Sequence, residues 1–258
     1  MNANKKTARI VGALYITGTV AGILSLVLTG PARNAQDYLI SGPASETRLV
    51  VGALFVLMMG LALAMVPVMM FPILRKHNEA LALGYVVFRG GLEAVTYLAI
   101  ATSWLLLVPL SQVYAQAGAL DDSNVQALGT RLLEAKEIGS ILTIVFCLGA
   151  LIFNYLLFQT QLVPRWLSGW GLIAIAPYLA AGLLAMFGII DILSPTYAIL
   201  NLPLGLQEMV LAVWLIVKGF DSSATVFRAA RTELTTDQVS TLDTPEMNKE
   251  GYAYEGNG

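Results

Sequence analysis

The sequence predicts an all-α integral membrane protein: a six-transmembrane-helix bundle with both termini in the cytoplasm. Three observations predict it. Hydrophobic residues make up 57% of the 258-residue chain and charged residues only 12%, about half of the roughly 25% that a water-facing domain carries. Mean hydropathy is +0.70. The apolar residues are also gathered into six runs separated by short polar segments, each close to the roughly 20 residues that a helix needs to cross the hydrocarbon core.

The first run, 10–28, follows Lys5, Lys6 and Arg9. A signal peptide begins in a similar way, but its apolar core is only about 7–15 residues and ends at a small-residue cleavage site. Here the run is longer, and Thr29-Gly-Pro-Ala-Arg33 offers no such site, so a retained first span is expected. A polar loop with Arg33, Asp37, Gly42-Pro43 and Glu46 leads to the second span, 49–71. Pro67 should kink its last turn, and Pro72 should help end it before Arg75-Lys76-His77-Asn78. The third span, 81–108, closes at Pro109 and carries Arg89 and Glu93.

The loop after it is the longest. Ser123-Asn-Val-Gln126 has the spacing of a capping box, and Val125, Leu128, Leu132 and Leu133 recur at helical spacing among polar residues. This predicts a short amphipathic helix, lying at the interface or leading into the fourth span, 138–158. A polar turn from Gln159 to Arg165 leads to the fifth span, 166–190, with Pro177 near its centre. Asp191, Ser194 and Pro195 form a further short loop before the sixth span, 199–217, which stops at Lys218. Residues 1–220 are thus expected to form the transmembrane domain. Residues 221–258 are dominated by Thr, Asp, Glu, Ser, Asn and Gly. Such a tail buries too little apolar surface to offset its ordering entropy, and a disordered cytoplasmic segment is expected. Phe227, Arg228 and Arg231 could hold its first turns at lipid headgroups.

Orientation follows from the basic residues. Lys5, Lys6, Arg9, Arg75, Lys76, Arg165, Lys218, Arg228, Arg231 and Lys249 fall on one side of the six spans, and only Arg33, Arg48, Arg131 and Lys136 on the other. The richer side is read as cytoplasmic. Trp166 at a cytoplasmic span end and Trp104 near an outer one agree with interfacial anchoring.

Composition also narrows function. A net charge of -2 argues against nucleic acid as a partner. With one cysteine, Cys147, and one histidine, His77, there is no Cys/His cluster for a metal and no internal disulfide, and no cofactor is expected. Ser168 in Ser168-Gly-Trp-Gly171 lacks a histidine within a supporting pattern, and no aspartate lies inside a span, so the reading leans away from an enzyme. Cys147 reads as a packed thiol, His77 as a solvated loop residue, Asn154 as an interhelical hydrogen-bonding group, and the Met65, Met69, Met70 group as packing. Gly18-x-x-x-Gly22 permits close helix approach, most simply within the bundle.

The candidate site is the set of ionisable residues inside the spans: Arg89, Glu93 and Glu208. Arg89 and Glu93 are four apart and share a helix face. At 1.5 Å per residue, Glu93 lies about 18 Å into its span and Glu208 about 15 Å from either end of its own, both near the midplane. A charge at that depth costs at least about 2.5–3.5 kcal/mol, so it must be paired, hydrated or useful. If the third and sixth spans meet, one arginine faces two carboxylates. Two readings stay open: a proton, cation or substrate site, or an ion pair that holds helices together. Gly90-x-x-Glu93 and Gly205-x-x-Glu208 sit in oppositely directed spans, as an inverted repeat would place them, although chance in so restricted an alphabet is the stronger explanation.

The segment Tyr155-Leu-Leu-Phe-Gln-Thr-Gln-Leu-Val-Pro-Arg-Trp-Leu-Ser-Gly-Trp-Gly171 resembles the signature of a family of bacterial membrane proteins, domain-of-unknown-function family 4386. Phe88-Arg-Gly-Gly-Leu-Glu93, and Glu208 followed by Trp214-Leu-Ile-Val-Lys-Gly-Phe220, resemble its other marked stretches. The resemblance covers about Lys5 to Phe220. It implies a six-helix fold in a bacterial cytoplasmic membrane and transfers no activity or site residue. The expected role is that of an uncharacterised, non-catalytic multi-pass protein (accessory, assembly or stress-related) with the lipid bilayer as its partner. The alternative is a small transporter or ion-coupled permease using Arg89, Glu93 and Glu208.

Overall fold

The computed structural model describes residues 3–30, 43–116, 123–134 and 136–224. The segments 31–42 and 117–122 lie outside the described residues, as does the expected tail from 225 onward with Phe227, Arg228 and Arg231. The described residues are helical, with no strand among them. The helices are α1 (Ala3–Thr29), α2 (Pro43–Leu74), α3 (Glu79–Tyr85), a π-helical segment (Val86–Leu92), α4 (Glu93–Leu105), α5 (Leu107–Gln116), α6 (Ser123–Glu134), α7 (Lys136–Thr160), α8 (Arg165–Met186) and α9 (Pro195–Val217). Among the described residues, six stretches are long and apolar enough to cross a bilayer: Asn4–Thr29, Glu46–Leu74, Glu79–Gln112, Ala127–Thr160, Arg165–Met186 and Pro195–Val217.

Several boundaries differ from the sequence reading, each for a local reason. The α2 helix begins at Pro43 rather than after the loop that the sequence suggests. Proline suits a first helical turn because its missing N–H would have had no intrahelical acceptor there. Pro72 lies inside α2, which continues to Leu74 before the His77 and Asn78 amides close on the Leu74 carbonyl. The third span is not one uninterrupted α-helix. It changes to π winding over Val86–Leu92 and breaks at Leu106, and Pro109 sits in the first turn of α5 instead of ending a helix. The fifth span stops at Met186, short of 190: Gly188 takes a positive φ of 69°, and its amide and that of Ile189 cap the Ala185 and Leu184 carbonyls. Such a left-handed glycine terminates a helix however apolar the next residues are. The sixth span starts at Pro195 rather than 199, with the Ser194 hydroxyl accepting the Tyr197 amide. The amphipathic helix α6 ends at Glu134 and α7 begins at Lys136.

The spans pack in chain order around a ring. α1 lies on α2, α2 on the third span, the third span on α7, α7 on α8 and α8 on α9, and α9 returns to α1. Small residues set the closest approaches. A Cβ at Gly12 would sit 2.5 Å from the Ala212 carbonyl oxygen, which fixes how tightly α1 closes the ring against α9. Gly18 and Gly22 face Leu63 and Met59 of α2, so the Gly-x-x-x-Gly pair works within the bundle. The large fully buried side chains, among them Tyr15, Met70, Tyr85, Leu156 and Arg89, point into the ring. Many large apolar residues on the spans, Leu61 and Ile173 for example, face outward, the inverse of a soluble bundle.

Candidate functional site

Arg89 projects from the π-helical segment into the middle of the ring and is 1% exposed. Its backbone approaches α7 closely at Gly149, where a Cβ would lie 3.2 Å from the Arg89 Cβ and 3.3 Å from its amide nitrogen. On the other side, Gly90 lies against Pro67 and the Ala64 carbonyl of α2. The arginine is thus seated where two neighbours meet the third span through glycine.

The structure brings the three intramembrane charges together. Arg89 Nη2 donates to Glu208 Oε1 at 2.8 Å, and Arg89 Nη1 lies 3.3 Å from Glu93 Oε2. The first contact is a directed, charge-assisted hydrogen bond and the stronger kind. The second is an ion pair without hydrogen-bond geometry. Glu93 Oε1 instead accepts the Tyr97 hydroxyl at 3.2 Å. The Phe146 ring lies under the guanidinium, 4.0 Å from its carbon, with the Tyr15 ring further off at 5.9 Å. A desolvated guanidinium over an aromatic face is stabilised by the ring's quadrupole. Glu93 is fully buried, whereas the Glu208 side chain keeps 18% of its surface open.

The third span and α9 are not packing neighbours: the former lies between α2 and α7, the latter between α1 and α8. The Arg89 side chain itself crosses the ring to reach Glu208. The space beside it is a crevice too narrow for a water, lined by Tyr15, Tyr85, Asn154, Gln207 and Glu208 among others. Gln207 Nε2 donates to Asn154 Oδ1 and to the Leu167 carbonyl, both at 3.2 Å, so Asn154 does bridge helices. The Gln207 Oε1 and Tyr85 hydroxyl oxygens are buried there without a well-formed hydrogen bond among the described residues.

Sequence reasoning missed Tyr15, Tyr85, Tyr97, Phe146 and Gln207. A signal existed for two of them. Tyr85, Arg89, Glu93 and Tyr97 follow one another at intervals of four, which places all of them on one helix stripe. Gln207 adjoins Glu208, but nothing local announces Tyr15 or Phe146, which come from other spans. The other residues singled out lie apart. Ser168 is buried and donates to the Arg165 carbonyl at 3.3 Å. His77 is in the exposed turn after α2, and Cys147 is a buried free thiol. The Gly90 and Gly205 positions are not equivalent: Gly205, unlike Gly90, has nothing within 4 Å of its Cβ position.

Comparison with known proteins gives one match. The family described as Domain of unknown function (DUF4386) matches residues 10–219, a range that takes in all three charges. No curated protein and no solved structure matches the chain.

Proposed function

The chain belongs to this family of unknown function, and we propose that it is a non-catalytic multi-pass protein of a bacterial cytoplasmic membrane, an accessory or assembly factor, in which the Arg89 cluster is a structural clasp. On this reading both termini are cytoplasmic. The observation that carries the proposal is the filling of the ring at Arg89. The guanidinium bonds Glu208, pairs with Glu93 and covers Phe146, and the crevice beside it has no room for a water. A proton or cation path through the midplane needs a hydrated route to its carboxylates, and a dry, paired arginine occupies that route. What a buried three-charge cluster does supply is a fixed pairing of two helices that do not otherwise pack together.

Protein reconstituted into vesicles with an internal pH dye is expected to add no proton flux when a potassium diffusion potential is imposed. Flux above that of protein-free vesicles, abolished by Glu208→Gln, overturns the clasp reading. Two features favour the transporter reading: the partial opening at Glu208 and the π winding at Arg89, since π segments recur at functional sites. Orientation is tested separately in a Cys147-free background. Asn78→Cys should stay unlabelled by an impermeant thiol reagent applied to intact cells, and Phe187→Cys should react. The opposite pattern reverses the orientation.

A further inference from the structure

A second space lies at the end of the bundle away from the N-terminus. It is a half-open cavity of about 230 Å³ between α1, α2, α4 and α7, with Ile192 and Leu193 of the loop between α8 and α9 along its edge. Its wall is apolar, built from Val56, Met59, Ile100, Trp104 and Leu142, with Gly22 letting the Met59 side chain close against α1. Ile192 crosses the α7 end at Gly139, where a Cβ would lie 2.8 Å from its Cδ1.

We propose that this cavity binds a single apolar chain, the tail of an uncharged amphiphile drawn from the surrounding bilayer. The polar groups that reach the cavity are already satisfied. The Ser25 hydroxyl donates to the Gly22 carbonyl, the Tyr97 hydroxyl to Glu93, and Glu134 pairs with Lys136. Water needs two to four polar partners to occupy a cavity, and an apolar one stays dry and takes an apolar guest instead. The volume is below the roughly 300–1,000 Å³ of a typical small-molecule pocket, which fits one chain segment and not a whole lipid. Because lipid tails are themselves apolar, the gain comes from filling a void with dispersion contacts. Beside the cavity mouth, Lys136 is held between Glu134 at 3.1 Å and Asp191 at 2.6 Å, so this ammonium is already committed to two carboxylates, which favours an uncharged head over an anionic one. Tyr97 is the floor, and through its hydroxyl an occupant sits one side chain away from Glu93. The inference is independent of the clasp reading.

The test uses Trp104, which lines the cavity. The other three tryptophans, Trp166, Trp170 and Trp214, sit at the opposite end of the bundle, and Trp166 is exposed. The full chain in phosphatidylcholine nanodiscs is titrated with terminally brominated dodecanol, and tryptophan quenching is read. The expected result is a saturable component that is missing in Trp104→Phe, that unbrominated dodecanol reverses, and that disappears when Ile100→Phe with Leu142→Phe fills the cavity while Trp104 emission persists. Quenching that rises without saturation, or that dodecanol does not reverse in the wild-type protein, overturns the proposal whether or not the filled variant folds. Saturable quenching that survives in a folded, filled variant overturns it as well, by placing the chain elsewhere.

Discussion

Two clusters in this molecule share a composition, one cation between two carboxylates, and differ in almost everything else. In the ring, Arg89 joins Glu93 and Glu208, with arginine and Glu93 side chains 1% exposed. At the far end of the bundle, Lys136 joins Glu134 and Asp191, with side chains 27–43% exposed. The shortest contact belongs to the outer cluster, Lys136 to Asp191 at 2.6 Å, yet distance is not what sets its value. Water competes for each exposed group, and such pairs contribute about 0–1 kcal/mol. The crevice at Arg89 has no room for a water to take over from a missing partner, so the cost of breaking the cluster is the cost of stranding a charge. The residue types suit the sites as well: arginine bridges two acceptors and lies on an aromatic ring, whereas lysine is a hydrated point charge.

The largest expected effect is that of Arg89→Leu, which leaves two carboxylates facing each other in the bundle. Loss of one partner of a buried pair costs about 3–5 kcal/mol, read as a lowered midpoint in a thermal or denaturant unfolding series in detergent. Adding Glu93→Gln and Glu208→Gln to Arg89→Leu should recover part of that loss. A triple variant no more stable than the single one would mean that the three charges are energetically uncoupled.

Crowding Arg89 without removing its charge is the next step down. Gly149→Val pushes a side chain against the Arg89 backbone and Cβ, and overpacking of this sort costs about 1–3 kcal/mol. A neutral result would show that the third span is free to move away from α7. Glu208→Gln should be milder than Arg89→Leu, because the arginine keeps Glu93 and the cluster becomes charge-balanced. A cost equal to that of Arg89→Leu would break the contrast between removing the hub and removing a spoke.

The smallest effects belong to the outer cluster. Lys136→Met should change stability by at most about 1 kcal/mol and less in high salt. The Lys136 ammonium, helped by the Leu193 amide, holds the Asp191 carboxyl below its ordinary value. A folded pKa below the unfolded one adds stability that is complete above the unfolded value, about 4, and is lost as pH falls through the folded one. The acid limb of the stability profile should therefore flatten slightly in Lys136→Met. A profile that flattens near neutral pH instead would assign the pH response to another group.

The two clusters were not equally legible in the sequence. Arg89 and Glu93 stand out because charge is rare in an apolar run, and their spacing of four already makes them neighbours. Lys136 and Glu134 lie in a polar stretch where charges carry no such signal, and Asp191 reads there only as a loop residue. Helix ends were misjudged wherever hydrophobicity alone was followed. Ile189 and Ile190 are apolar enough to extend a span, but Gly188 ends the helix before them. Pro109 looks like a terminator, but it is harmless in the first turn of α5.

The sequence by itself determined that six apolar runs exist and which of them carry Arg89, Glu93 and Glu208, because both are read by counting residues along the chain. Only the tertiary structure decided that Arg89 meets Glu208, 119 positions away. No local rule relates residues on spans that are not packing neighbours. The closing of the ring by α9 on α1 placed them across from one another, and Gly149, Gly90 and the Phe146 ring left a seat that the long arginine side chain fills.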